Sequence, residues 1–415
     1  MKLLKADKGI VIKEAIVSGV VFLGVIYVLN AIALRNEFIK PIKQEFEDFD
    51  IYDMVFSSKH KQQEYPDTSA NDNHYAEPES RKGIVIVEAK YGRADILEQL
   101  QTLQAYEPKV LGVDIKFQGE RTDTLTDKRL FSFLNFTPNV IGGYAIDSII
   151  HEKTYINNQP FILDEGIEQG KYGFFNFSAE EETNVIREFT PFYHKNGIEY
   201  FSFASLIVKT YDSVHWNSLS KRLHVSEYIN YQGNINQFDN YPVVLFDSIK
   251  PEDIRDKIVL FGGFSRDNNY IDDLKFTPMN SKYSGRSFPD MHGIVVHANI
   301  IDMLLDEKKL ITEVPTFWNG LLVFFLCTCY SFLVIKDYKN YGHASHIKYI
   351  IISTISIFLF AWSLLWLYDA KMIRLDLAPI IMSFVIPFEL FEIYRRLALV
   401  FNKYFNYKTI LINQH

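Results

Sequence analysis

The carboxylates and imidazoles of this 415-residue chain gather in a few places where they could do chemistry. Glu88 closes the run Gly83–Glu88 (GIVIVE), and Asp114 sits near the end of Lys109–Ile115 (KVLGVDI). Both runs are β-branched and read as buried strands. In open α/β sheets ligands gather at the carboxyl ends of strands, which makes Glu88 and Asp114 candidate pocket residues. Asp114 has a second reading, as a cap on the loop that follows. Asp267, Asp272 and Asp273 crowd a loop after Gly262-Gly263. Oxygen-rich loops can hold Ca²⁺, but Asp-x-Asn-x-x-Asp-Asp lacks the EF-hand spacing and its terminal bidentate Glu. Asp272 and Asp273 are kept as candidate ligand contacts on a solvated acidic loop, and no metal site is expected. A tight turn is enough to explain Gly262-Gly263, since no G-x-G-x-x-G pattern accompanies it.

His292 and His297, close to Asp290, invite a metal or acid–base reading. His297 shares a helical face with Ile300, Ile301 and Leu304, which points instead to a buried, hydrogen-bonded histidine. His292 remains a candidate ligand contact. Near the C-terminus Glu389 and Glu392 share one face of an apolar run. A proton relay and an interfacial Glu392–Arg396 pair at i, i+4 are both open there. No H-E-x-x-H, G-x-S-x-G or comparable signature occurs, so neither a catalytic residue nor a cofactor is expected and the chain is not read as an enzyme.

The elements that must position these groups alternate. Ala94–Tyr106 carries Ile96, Leu97, Leu100 and Leu103 at helical spacing, and Asp123–Leu134 reads as a second helix before a third strand at Asn139–Ile146. This β-α-β-α-β order implies a parallel sheet with crossover helices. Phe174–Phe177, Val185–Tyr193 and Ile198–Phe201 read as antiparallel strands and Phe203–Tyr211 as a helix. Val243–Phe246 and Lys257–Gly262 (KIVLFG) read as further strands, and Gly293–Leu310 as a closing amphipathic helix. The expected class is α/β with a mixed, partly parallel sheet, on an α-helical anchor of about four spans.

That anchor is read from four apolar runs. Residues 15–34, 316–335 and 349–368 are each twenty residues without a charge, long enough at 1.5 Å per residue to cross ~30 Å of hydrocarbon. Residues 375–394 form a weaker fourth, interrupted by Asp376, Glu389, Glu392, Pro379 and Pro387. Backbone groups in lipid must be satisfied internally, so these runs are helical. Lys2, Lys5, Lys8 and Lys13 precede the first run, Lys336, Lys339 and Lys348 lie between the second and third, and Arg395, Arg396, Lys403 and Lys408 follow the fourth. The excess of basic residues assigns 1–14, 336–348 and 395–415 to the cytoplasm and residues 35–315 to the outside. Ala31-Ile32-Ala33 resembles a signal cleavage site, but the long apolar core favours an uncleaved anchor.

Between the first two spans, 35–82 reads as a stalk with a flexible loop and 83–315 as a folded domain. Residues 35–315 hold 30 basic and 44 acidic side chains, against 13 and 7 elsewhere. That surplus excludes nucleic acid as a default partner. Cys327 and Cys329, the two cysteines, both lie in the second span, so the external domain folds without a disulfide. About 280 residues can bury an adequate core unaided.

Five segments in register carry a family resemblance: Lys109–Ile115 (KVLGVDI), Gly173–Asn176 with Arg187, Asp256–Gly263 (DKIVLFGG), Phe276–Pro278 (FTP) and Gly293–Leu305 (GIVVHANIIDMLL). They resemble the CHASE2 domain, an extracytoplasmic sensory module of bacterial membrane receptors. The resemblance covers roughly residues 84–310 and includes the flanking pattern of spans. It implies a multi-pass protein of the bacterial inner membrane with its main domain in the periplasm. It also implies a small-molecule or envelope ligand and an effector on the cytoplasmic side. Two departures stand out. Asn184-Val185-Ile186-Arg187 lacks the carboxylate of a family-like D-G-x-x-R segment, and 21 residues follow Tyr394, too few for an enzyme fold. A separate effector protein and the lipid bilayer are therefore the expected partners, and a homodimer is a candidate assembly. An envelope-assembly or transport accessory and a periplasmic hydrolase are the rival readings.

Overall fold

The computed structural model describes residues 5–35, 50–57, 83–117, 124–150, 153–156, 170–177, 185–195, 198–264, 273–280, 289–341 and 346–412. The chain divides into two compact units, Gln44–Ile311 and Met1–Lys43 with Thr312–His415.

The first unit is built on six strands: β1 (Ile84–Glu88), β2 (Val110–Asp114), β3 (Val140–Tyr144), β4 (Tyr172–Phe174), β5 (Asp239–Tyr241) and β6 (Ile258–Gly262). They lie in the order β5-β1-β6-β2-β3-β4, every pairing parallel. β1, β3 and β6 are buried throughout, as continuous apolar runs in parallel sheets should be. One face is covered by α2 (Arg93–Ala105) and α3 (Thr124–Phe136), which set Ile96, Leu100, Leu103, Leu130 and Leu134 against Val85, Leu111, Val113 and Val259. On the other face lie α4 (Phe203–Tyr211) and α5 (Gly293–Leu305). Gly173 in β4 permits that approach, because a Cβ there would stand 2.5 Å from the Phe203 Cα.

The sequence expectations shift at six points. β6 runs between β1 and β2, so the first crossover skips a position that a strand from the far end of the domain fills. Tyr172–Phe174 extends the parallel sheet instead of pairing antiparallel. The 185–193 stretch is split between two antiparallel strands: Glu188–Phe189 pairs with Glu227–Tyr228, and Phe192–Lys195 forms a hairpin with Ile198–Phe201. Val243–Phe246 is not a strand but lies in a 3₁₀ turn, Val243–Ser248. Pro242 before it has no N–H for a ladder, and Val244 stays 87 % exposed. The helix α5 ends at Leu305, short of Leu310, with twelve of its thirteen residues buried. It is a central helix and not an amphipathic one. Part of the expected stalk is also folded: Tyr52, Asp53, Phe56 and Ser57 are buried.

In the second unit, α1 (Lys5–Arg35), α6 (Thr316–Tyr341) and α7 (His346–Lys371) carry windows long and apolar enough to cross a membrane. α8 (Leu377–Glu389) and α9 (Phe391–Phe405) meet at 61°, which gives a fourth span only if the bent pair counts as one. Pro387 inside α8 explains the break of the expected 375–394 run, since it removes a helical hydrogen bond just before the bend. Glu392 pairs with Arg395 at 2.9 Å in place of the anticipated Arg396. Glu14, assigned from sequence to the N-terminal segment, is fully buried within α1 and accepts from the Tyr394 hydroxyl at 2.6 Å.

Candidate functional site

The sheet register lines up the carboxyl ends of three strands: Glu88 of β1 pairs with Gly262 of β6, which pairs with Asp114 of β2. Gly262 is needed there for close packing, since a Cβ would stand 2.8 Å from the Asp114 carbonyl oxygen and 3.0 Å from Ile294. That replaces the tight-turn reading. Just beyond this row lies an open cavity of about 480 Å³. Its walls are the residues that follow the strands, Ala89 to Tyr91, Asp114 to Lys116, Ala145, Phe175 to Phe177 and Gly263. Its remaining wall comes from Ile96 of α2, Asp273, Lys275 and the first turns of α5, Gly293 and His297. Asp273 and Lys275 reach it through a two-residue ladder of β7 (Leu274–Lys275) with β8 (Met291–His292).

Of the residues singled out from sequence, Asp114 and Asp273 line this cavity. Glu88 is 5 % exposed, and its carboxylate accepts the Val243 N–H at 2.8 Å. His292 is buried opposite Leu274 in the β7–β8 ladder and does not line the cavity. Asp272 and Asp267 lie outside the described residues. Asp290 holds the turn after Phe276, accepting from the Thr277 N–H at 2.8 Å and its hydroxyl at 2.5 Å. No group of three or more His, Cys, Asp or Glu with metal-binding geometry occurs among the described residues.

The electrostatics of the cavity are set by burial. Asp273 accepts the Gly293 N–H at 3.1 Å, which places a carboxylate on the first N–H of α5. Burial pushes the Asp114 carboxyl well above the usual range, the Asp273 charge adds to that, and Lys275 offsets part of it. Burial holds His297 at about 3, helped by Lys275, so its imidazole is neutral. His297 is 3 % exposed among Phe177, Phe203 and Phe175, with ring centroids 4.7, 5.2 and 6.0 Å away. The expected hydrogen bond is missing: its Nδ1 is buried without a partner among the described residues.

The carboxylate absent from the 184–187 segment is supplied from elsewhere. Arg187 holds Asp53, with Nη2 2.7 Å from Oδ2 and Nε 3.1 Å from Oδ1. The paired strand and the cavity are linked. Ile186 N–H donates to the Phe276 carbonyl at 2.8 Å, one residue from Lys275. Tyr231 donates to the Ile186 carbonyl at 2.9 Å and meets the Phe56 ring edge-on at 6.1 Å. Sequence reasoning missed Asp53, which is separated from its partner by 134 residues, and Lys275, which carried no motif.

A family model described as CHASE2 domain matches residues 32–333. No curated protein and no solved structure matches the chain.

Proposed function

The chain belongs to the CHASE2 domain family, a family of extracytoplasmic sensory domains, and on that premise we propose that it is a membrane-anchored receptor for a small extracytoplasmic ligand. The family is sensory and not catalytic, in keeping with the lack of a catalytic signature in the sequence. The observation that carries the reading is the cavity at the carboxyl edge of the sheet, the place where open α/β sheets take ligands. Its volume is within the ~300–1,000 Å³ of small-molecule sites. The basic segments 1–14, 336–348 and 395–415 support a periplasmic placement of the Gln44–Ile311 unit, at a bacterial inner membrane.

Two chains of contact lead from the cavity to the segments that continue toward the membrane helices. The first is α5: Gly293 and His297 touch the cavity, and ten residues separate Leu305 from the start of α6. The second runs from Lys275 through Phe276 and Ile186 to Arg187 and Asp53, in the segment that follows α1 in sequence. Occupancy of the cavity favours one arrangement of β7 and the first turn of α5, a population shift that both connections transmit. The change is read by a separate effector at 336–348 and 395–415. Crosslinking in native membranes from reactive groups placed in those two segments should capture a specific partner protein. Recovery of the chain without any partner overturns the effector half of the proposal.

A further inference from the structure

The polar groups of the cavity do not balance one another. Asp273 is engaged by the start of α5. The side chain of Asp114, largely buried at the end of β2, has no hydrogen bond and no ion pair among the described residues. His297 brings a neutral imidazole whose Nδ1 is equally unpartnered, and Phe175 and Phe177 supply aromatic surface beside it. Lys275 is one ammonium against two carboxylates on the inner wall. Lys90 extends over the Phe246 ring, 5.8 Å from its centroid, and Lys116 is exposed at the mouth, where water screens it. Among the described residues the inner wall thus leaves the Asp114 carboxyl and the His297 Nδ1 without a partner.

We propose that the cavity binds a small organic cation, a primary ammonium compound, whose ammonium donates to Asp114 and to the His297 imidazole while its carbon skeleton lies on Phe175 and Phe177. The proposal rests on the reading of this cavity as the sensing site. An ammonium supplies up to three donors, and the carboxylate and the neutral imidazole each offer an acceptor. The aromatic faces stabilise the charge further. An anion would meet Asp114 and Asp273 head-on, and a metal ion would find too few ligands.

Binding carries a proton signature. The carboxyl of Asp114 is held toward its protonated form by burial and by Asp273, with Lys275 opposing. Tyr91, Lys90, Lys116 and His297 are the other titratable and charged groups lining the cavity among the described residues. An ammonium therefore displaces a proton from Asp114, and affinity rises with pH until the free carboxyl is ionised.

The test uses the full chain in detergent and titration calorimetry with three matched probes: 2-phenylethylamine, 2-phenylethanol and phenylacetate. The amine should bind about tenfold or more tightly than the other two, the difference expected of a charge-assisted hydrogen bond. Its binding heat should vary with the ionisation heat of the buffer, reporting proton release. Asp114→Asn should weaken the amine by about tenfold or more and leave the alcohol unchanged. Equal or tighter binding of the alcohol or phenylacetate overturns the ammonium assignment while leaving a working cavity, as does amine binding that survives Asp114→Asn. Silence of all three probes overturns the assignment too. The sensing site itself is then tested by Ala145→Trp, which fills the cavity. An envelope extract that raises the melting temperature of the wild type but not of this variant keeps the site, and an equal rise in both removes it.

Discussion

Asn299 and His297 lie two residues apart on α5, both buried, and are treated in opposite ways. Asn299 Oδ1 accepts from the Gln232 and Gly233 N–H groups at 2.8 and 3.3 Å, and Nδ2 donates to the Gly233 and Val295 carbonyls at 2.9 Å each. Each capability of that amide is used within the fold. His297 has Nδ1 unpartnered among the described residues and sits at the wall of the cavity with Asp114, whose side chain is likewise without a partner among them. A buried polar group is costly unless it is hydrogen-bonded. Under the proposed sensing role, the contrast separates groups retained for the fold from groups retained for a ligand. Arg187 and Asp53 belong with Asn299: their charges are closed on each other and fasten the segment after α1 to the domain.

The comparison can be broken first at its structural half. Asn299→Ala leaves the Gln232 and Gly233 N–H groups buried and unsatisfied, and should cost about 3 kcal/mol of unfolding free energy by denaturant titration. A loss below about 1 kcal/mol would mean that the 230–233 loop does not depend on α5.

The functional half of the comparison is tested by a pH dependence. The unfolded His297 takes up its proton near pH 6.5, whereas the folded one does so only at about 3. Below pH 6.5 the unfolded state therefore gains protons that the folded state does not, and stability falls as pH falls. The slope from this residue is at most about 1.4 kcal/mol per pH unit and ends as pH passes through the folded value. In His297→Phe the other groups still titrate, so the difference between the two stability profiles isolates the histidine. The wild type should lose stability relative to the variant as pH falls below about 6.5, with a constant offset between the two above it. Parallel profiles would show that His297 is not held neutral by the fold.

How much of this was legible in the sequence depends on the distance over which each feature is encoded. The strands at Gly83–Glu88, Lys109–Ile115 and Lys257–Gly262 were readable because continuous β-branched runs specify buried strands locally. Asp114 and Asp273 were readable as strand-end and loop carboxylates, and the structure brings both to one cavity. Other features were set by partners far along the chain. The insertion of β6 between β1 and β2, the clasp of Asp53 by Arg187 and the arrival of Lys275 beside Asp114 each join segments that no local period connects. The two histidines show the limit most clearly. His292 and His297 look alike in sequence, yet one faces a strand ladder and the other the cavity. Only the start of α5 at Gly293 decides between them.

The smallest expected effect on stability carries the most weight. If Asp114 is kept for a ligand and not for the fold, replacing its carboxyl by an isostere that cannot ionise removes the cost of burying an ionisable group and no internal contact. Denaturant unfolding of Asp114→Asn alongside the wild type at pH 7.5, without added ligand, should give a stability equal to the wild type or higher by about 1 kcal/mol. A loss of about 3 kcal/mol, matching Asn299→Ala, would make Asp114 a structural residue and contradict the reading of the cavity as a sensing site.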